Sequence, residues 1–137
     1  MIKTIISIVI IAALACLGWV IWKEYDKYNT GRDVQEQQQA AVATIVPEQL
    51  QGMPNTWENG YKQATNAGVK TWTQWMKVYG QRVADPRRAW IELDYMVRIS
   101  TDDPQEAKAI FATVKERITD TNSPVYPRIQ QLAKTYE

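Results

Sequence analysis

Residues 85–118, DPRRAWIELDYMVRISTDDPQEAKAIFATVKERI, decide the fold class of this chain. The stretch contains two helix starts of one kind, Asp85-Pro86 and Asp103-Pro104, in which an acidic residue caps the helix and proline occupies its first turn. A third start follows at Ser123-Pro124. After each start apolar residues recur at three- and four-residue steps, and no stretch alternates between apolar and polar residues as a strand would. The sequence therefore predicts an all-α domain whose short turns make successive helices antiparallel neighbours.

The predicted core consists of the apolar stripes of these helices together with one earlier apolar stripe, which begins near Asn55. We expect the earlier stripe to break at Ala67-Gly68, because glycine weakens a helix interior. The residues of the earlier stripe are Trp57, Tyr61, Ala64, Gly68, Trp72, Trp75, Tyr79 and Val83. The residues of the later stripes are Ala89, Trp90, Leu93, Met96, Val97, Ala107, Ile110, Phe111, Val114, Ile118, Val125, Ile129, Leu132, Ala133 and Tyr136.

Four of these residues have the spacing of a known helical hairpin: Trp90, Leu93, Ala107 and Phe111. They resemble the W-x-x-L … A-x-x-x-F pattern of the tetratricopeptide repeat, over residues 86–118 alone. The sequence departs from that family at Asp94 and Val97, where a small residue and an aromatic residue are usual, and its second helix is offset by one residue from the family pattern. The resemblance implies a TPR-like, protein-binding pair of stacked helices. Because repeat proteins need about three repeats for stability, we expect a compact helical-hairpin bundle.

The N-terminal residues 4–22, TIISIVIIAALACLGWVIW, contain no charged side chain and lie between Lys3 and Lys23. A helix of this length rises roughly 28 Å, which nearly matches the ~30 Å hydrocarbon core of a bilayer. Aromatic residues that suit the headgroup layer then form a membrane-interface belt: Trp19, Trp22, Tyr25 and Tyr28. The sequence predicts a single-pass transmembrane helix, with the C-terminal domain on the translocated, extracytoplasmic side.

A second interpretation of the same segment is a cleavable signal peptide, with Ala13-Leu14-Ala15 ahead of the cleavage site. Cys16, directly after that site, would then suit lipidation. The apolar run nevertheless continues beyond Cys16 to Trp22, where a mature protein turns polar. We therefore expect the segment to be retained as an anchor.

The chain is expected to contain three regions. Residues 1–28 form the anchor, residues 29–55 a polar connector rich in glutamine, and residues 56–137 a small all-α domain. From residue 23 onward there are fifteen Lys/Arg and fifteen Asp/Glu, so the net charge of this part is zero. A nucleic-acid-binding protein would show a strongly basic face, so the charge balance argues against nucleic acid as a partner.

The chain contains no histidine, and its single cysteine, Cys16, lies in the apolar segment. This composition excludes Ser-His-Asp and Cys-His catalysis, histidine ligation of haem, and cysteine metal clusters. Glu92 and Asp94 point to different sides of one helix, and capping accounts for Asp102-Asp103. We therefore predict no catalytic, cofactor-binding or metal-binding residue, no cofactor and no small-molecule substrate; the chain is not expected to be an enzyme.

The strongest candidate site is an aromatic stripe beside a cluster of arginines. The predicted protein-binding surface consists of Trp72, Trp75, Tyr79, Arg82, Arg87 and Arg88. Tryptophan, tyrosine and arginine are enriched at interface centres, although helical spacing also favours a core role for the aromatics. The arginines also suit anionic lipid headgroups or an acidic partner. Arg87 and Arg88 are expected to be exposed. The expected helix-surface ion pairs are Arg88–Glu92 and Asp94–Arg98.

These features predict a non-enzymatic, membrane-anchored accessory or scaffolding subunit of a larger membrane protein complex. Its partners would be the lipid bilayer and other integral membrane subunits. Its helix would pack beside other transmembrane helices, and its domain would dock on their extramembrane parts. The alternative is a tethered TPR-like module that captures a protein or peptide without belonging to a permanent complex.

Overall fold

The computed structural model describes residues 15–23, 25, 36–37 and 39–137. The chain divides into two compact units, Met1–Gln37 and Gln38–Glu137. Throughout the described ranges every regular element is helical, and none of these residues belongs to a strand. The predicted all-α class is therefore confirmed.

The predicted anchor lies mostly outside the described residues, which include a helical portion at 15–23 and Tyr25. Tyr28, the last residue of the predicted aromatic belt, also lies outside them. Within the part of the chain that the structure describes, no helix combines the length and the apolar character needed to cross a bilayer. The single transmembrane helix stays a prediction.

The second unit is built from helices joined by short turns. Its main helices are α1 (Asn55–Asn66), α2 (Val69–Tyr79), α3 (Arg87–Ile99), α4 (Pro104–Arg117) and α5 (Tyr126–Tyr136). Single 3-10 turns cover Pro47–Gln49 and Gly80–Arg82, and residues 39–43 are also helical. The helix α3 is central, because it packs along α4 and also contacts α2 and the first 3-10 turn.

The local signals that begin and end these helices act as expected at two places. Gly68 has φ +107°, a conformation that other residues rarely adopt, and it separates α1 from α2 at the predicted break. At the start of α4, the Asp103 carboxylate accepts a hydrogen bond from the backbone N–H of Glu106 at 2.9 Å. This bond satisfies one of the free N–H groups of the first turn.

The third predicted start is displaced along the chain. The Asp120 carboxylate accepts from the backbone N–H of Asn122 at 2.9 Å, which closes a turn rather than capping a helix. The helix α5 begins at Tyr126, with Pro127 in its first turn. The proline that leads α5 is therefore Pro127 and not Pro124.

The hydrophobic core of the second unit contains residues from all five main helices. The buried apolar residues are Tyr61, Ala64, Trp72, Trp75, Val83, Ala89, Trp90, Ile91, Leu93, Tyr95, Met96, Ile99, Ala107, Phe111, Val114, Ile118, Val125 and Ile129. Other predicted core residues are half-buried against them: Trp57, Tyr79, Ile110, Leu132, Ala133 and Tyr136. The predicted stripes therefore identify the core-facing sides of the helices.

The predicted burial of Val97 is wrong. Its side chain is 41% exposed, near the C-terminal end of α3. Because α3 is enclosed by several neighbours, it also buries Ile91, Tyr95 and Ile99, which lie outside the single predicted stripe. A one-sided stripe describes a surface helix, whereas α3 is covered on more than one side.

The second unit also includes residues that the sequence places in the connector. Leu50 and Met53 are half-buried against the core. The backbone N–H of Ala84 donates to the carbonyl of Gly52 at 2.9 Å, and that of Arg87 donates to the carbonyl of Gln51 at 3.1 Å. The chain ahead of α1 is thus bonded to the chain that enters α3.

Candidate protein-binding surface

The aromatic residues of α1 and α2 form a connected cluster that reaches α3. The ring of Tyr61 lies 5.9 Å from that of Trp72 and 5.1 Å from that of Trp75, measured between centroids. Trp72 meets Tyr95 of α3 edge-on at 5.6 Å. Such tilted arrangements are favourable because the positive edge of one ring faces the negative face of the other.

This cluster corrects the predicted role of Trp72 and Trp75 in docking. Only 7% and 8% of these two residues is exposed, so they have almost no area to offer a partner. They are buried because α2 packs on α1 with one side and contacts α3 as well. The hydroxyl groups of Thr73 and Tyr95 are hydrogen-bonded at 2.9 Å, which further fixes α2 on α3.

The rim of the cluster remains partly accessible. The rings of Trp57 and Tyr79 lie 5.1 Å apart, and Tyr79 also contacts the ring of Trp75 at 5.4 Å. Trp57 and Tyr79 are half-buried. Val78, the neighbour of Tyr79, is 57% exposed. The solvent-facing edge of the aromatic cluster is therefore formed by the end of α2.

Arg87 is buried, which corrects the expectation that it is exposed. Only 2% of the residue is exposed, and its Nη2 donates to Oε2 of Glu58 at 3.0 Å. Its guanidinium lies 5.3 Å from the centre of the Tyr61 ring. In the described part of the chain, its Nε and Nη1 are buried without a hydrogen-bond partner. The first turn of α3 thus directs this arginine inward, to the carboxylate of α1, and not toward a partner.

Arg88 belongs to a network of charges between α3 and α4. Its Nε donates to Oε1 of Glu92 at 2.9 Å, as the i,i+4 spacing predicts. Glu92 also pairs with Arg117 of α4, and Arg117 donates from Nε to Oδ2 of Asp85 at 2.7 Å. The charge of Arg88 is therefore balanced within the domain, although its side chain is half-buried rather than enclosed.

The predicted pair Asp94–Arg98 is not formed; Asp94 instead pairs with Arg128 of α5. The Arg128 guanidinium lies 4.2 Å from the centre of the Trp90 ring, so it contacts an aromatic face and a carboxylate together. Burial raises the pKa of the Asp94 carboxyl, although the charge of Arg128 opposes this. Burial, with the charge of Asp94, also raises the pKa of the Tyr61 hydroxyl, which stays neutral at physiological pH.

The predicted binding surface is therefore divided by the fold. Arg82 is exposed, Tyr79 and Arg88 are half-buried, and the remaining three predicted residues are interior. The structure adds Lys70 and Lys77, which are exposed on the same helix as Tyr79. The sequence alone could have grouped these two lysines, because residues seven positions apart lie on the same side of a helix, two turns from each other.

The first unit exposes large apolar side chains. On the helix at 15–23 and at residue 25, the exposed residues are Leu17, Trp19, Val20, Ile21, Trp22 and Tyr25, each between 60% and 73% accessible. Three of the four predicted interface aromatics are thus described, and all three are uncovered within their own unit. Such a concentration of exposed apolar side chains is typical of surfaces that contact lipid or another protein.

The described residues also form open clefts outside the aromatic cluster. An open cleft of 610 Å³ lies between α4 and the end of α5, beside Phe111 and Tyr136. In the same part of the chain, no group of three or more His, Cys, Asp or Glu side chains is placed to hold a metal ion. Comparison of the chain with protein-family models, curated proteins and solved structures gives no match.

Proposed function

We propose that this chain is a non-enzymatic, membrane-anchored accessory or scaffolding subunit of a larger membrane protein complex. The observation that carries the proposal is the exposed apolar surface at residues 15–23. Burying a large apolar side chain is worth about 1.5–3 kcal/mol relative to leaving it in water. A helix that exposes several of them is stabilised by contact with lipid or with another apolar helix.

The sequence around this helix supports a membrane as its surroundings. Residues 4–22 are free of charge over nearly the length that a bilayer core requires. Cys16, Trp19 and Val20 form one side of the described helix. Gly18 has open space where a side chain would stand, which permits close approach of a neighbouring helix. We propose that the chain associates with other integral membrane subunits through this helix, with its C-terminal unit on the translocated side.

The architecture of the second unit supports a role by contact. Three ion pairs involve charged side chains of α3: Arg87–Glu58, Arg88–Glu92 and Arg128–Asp94. The first pair joins α3 to α1 and the third joins α3 to α5, whereas the second lies within α3, so the first and third hold these helices in a fixed arrangement. A rigid surface loses little conformational entropy when it binds a partner.

Membrane retention and complex size together test this proposal. We expect the full chain to stay in the membrane fraction after alkaline carbonate washing, and to migrate with a large complex in native electrophoresis of a mild detergent extract. An intact mass that includes Met1 would show that the segment is retained. A mature chain that starts at Cys16 would contradict the anchor.

A matched pair of variants sharpens the test. Ile10→Lys with Leu14→Lys places two charges in the apolar run, each costing about 2.5–3.5 kcal/mol at a membrane helix centre, and should release the chain on washing. Val46→Lys with Val97→Lys adds the same charge at exposed positions of the second unit. This control should remain membrane-bound. Equal release of both variants would contradict anchoring by the N-terminal segment.

The second candidate function is a tethered module that binds a protein or peptide through its helical hairpin. The burial of Trp90, Leu93, Ala107 and Phe111 between α3 and α4 favours it, because these residues carry the tetratricopeptide resemblance. A module of this kind should migrate as a monomer or small oligomer in the native gel. A subunit should migrate with its complex.

A further inference from the structure

The solvent-facing side of α2 is basic. We define the outer α2 face as Lys70, Gln74, Lys77 and Val78 of α2 together with Gln81 and Arg82 of the 3-10 turn that follows it, all of which are exposed. The first three lie at i, i+4 and i+7, and so share one side of the helix. Lys70, Lys77 and Arg82 form no ion pair with any residue in the described ranges. Their charges face solvent.

The charge of this face is not balanced by its own segment. Residues 59–84 contain four basic residues and no acidic one, and the fourth basic residue, Lys62, pairs with Glu48 at 3.4 Å. The exposed basic residues of α4 share their helix with Glu106 and Glu116. The outer α2 face therefore has a single sign of charge, whereas α4 carries both.

The same face also presents one exposed apolar side chain, that of Val78. Val78 is 57% exposed and follows Lys77 directly, whereas Tyr79 lies on the opposite side of α2 from Lys70, half-buried against Trp57 of α1. Cationic side chains beside an exposed apolar side chain suit the headgroup layer of a membrane, where the charges meet anionic headgroups.

We propose that the outer α2 face binds the anionic headgroups of a lipid bilayer. This inference rests on the proposed anchor, because a tether keeps the domain at a high effective concentration near the membrane. The three cations span roughly 18 Å along the chain, at about 1.5 Å per helical residue. They are too far apart to hold one phosphate, and their spread fits a surface of many headgroups.

The test uses the single cysteine of the chain. In a Cys16→Ser background, Val78→Cys carries a nitroxide label on the outer α2 face, and Ala109→Cys carries the same label at an exposed position of α4. The full chain is reconstituted into vesicles of phosphatidylcholine, with or without phosphatidylglycerol. Collision with a water-soluble nickel chelate then reports the exposure of each label.

We expect the label at 78 to lose accessibility to nickel in the anionic vesicles alone, and to regain it at high salt, which screens headgroup charge. The label at 109 should stay accessible in both vesicles. Neutralising Lys70, Lys77 or Arg82 to Gln should weaken binding of the face about fivefold per residue. The matched control, Lys108→Gln, should have no such effect.

Unchanged accessibility at 78 in anionic vesicles would overturn the proposal. So would protection that is equal in both lipids and insensitive to salt, or protection that requires an added protein with an acidic surface. Carbonate washing of the same vesicles distinguishes this failure from failure of the anchor. A retained chain with an accessible label contradicts the lipid-binding face alone, whereas a released chain contradicts the proposed function.

Discussion

The Nη2 atom of Arg87 donates to Oε2 of Glu58 at 3.0 Å, and this bond joins the first turn of α3 to the first turn of α1. Both side chains are largely removed from water, with 2% and 13% exposed. The pair therefore holds the two helices together through residues that are 29 positions apart in the chain.

Removal of one partner from this pair should be strongly destabilising. We expect Glu58→Ala to lower the free energy of unfolding by about 3–5 kcal/mol, because it leaves the Arg87 charge buried and uncompensated. Urea unfolding of the full chain in detergent, followed by tryptophan fluorescence, measures this. Glu48→Ala, which removes the partner of exposed Lys62, is the control and should cost less than about 1 kcal/mol. Equal effects would show that the Arg87 charge is solvated.

Truncation of Phe111, which belongs to α4, should open a cavity in the hydrophobic core of the second unit. This residue is 2% exposed and lies 6.1 Å from the ring of Tyr136, so Phe111→Ala should cost about 3–5 kcal/mol. Val97→Ala, at an exposed position of α3, should change stability by no more than about 0.5 kcal/mol. An unchanged thermal midpoint for Phe111→Ala would place the core elsewhere.

Gly52 and Gly60 should respond in opposite directions to alanine. Gly52 has φ +124°, and an added Cβ would collide with the carbonyl oxygen of Ala84, so Gly52→Ala should be destabilising. Gly60 lies within α1, with Nε1 of Trp75 3.8 Å from an added Cβ, an ordinary contact. Gly60→Ala should therefore gain up to about 1 kcal/mol, because alanine favours helix interiors. Thermal unfolding of both variants beside the wild type gives the two signs.

Asp94 should contribute a pH dependence of defined sign. Burial raises its folded-state pKa above the ordinary value of 3.8, so the folded chain holds this proton more tightly than the unfolded chain. The contribution of Asp94 to stability is present below 3.8 and is lost as the pH rises through its folded-state pKa. The unfolding free energy of the wild type minus that of Asp94→Asn should therefore fall as the pH rises from 3.8 through the folded-state pKa of Asp94.

A second variant checks the cause of this dependence. The positive charge of Arg128 lowers the pKa of Asp94, so Arg128→Gln should raise that pKa further and extend the window to higher pH. Urea unfolding at a series of pH values measures the shift. A window that moves to lower pH in Arg128→Gln would contradict the pairing of these two residues.

The features that the sequence predicts correctly are those governed by near neighbours in the chain. The break at Gly68, the cap at Asp103 and the pair Arg88–Glu92 each depend on residues at most four positions apart. The cap and the ion pair follow from the three- and four-residue spacing of a helix, and the break follows from the conformational preference of glycine. They are accordingly visible without knowledge of the packing.

The incorrect predictions concern residues whose surroundings come from distant parts of the chain. Asp94 has Arg98 four residues away, yet it pairs with Arg128, 34 residues away, because α5 packs against this side of α3. Arg87 is buried because the carboxylate of Glu58 balances its charge. A spacing rule that treats α3 as a surface helix finds neither contact.

The two backbone bonds that join Gln51 and Gly52 to the entry of α3 also determine how the unit carries mechanical load. They close a loop that contains α1, α2 and the aromatic cluster, with both ends of the loop at the same place. While these bonds are intact, they give tension applied from the N-terminal side a shorter path to α3 than the covalent chain through the loop. Trp72 and Trp75, which lie inside the loop, should therefore carry less of a force applied to the chain ahead of Gln51. Under such a force, the hydrogen bond between Ala84 and Gly52 should be among the first to break.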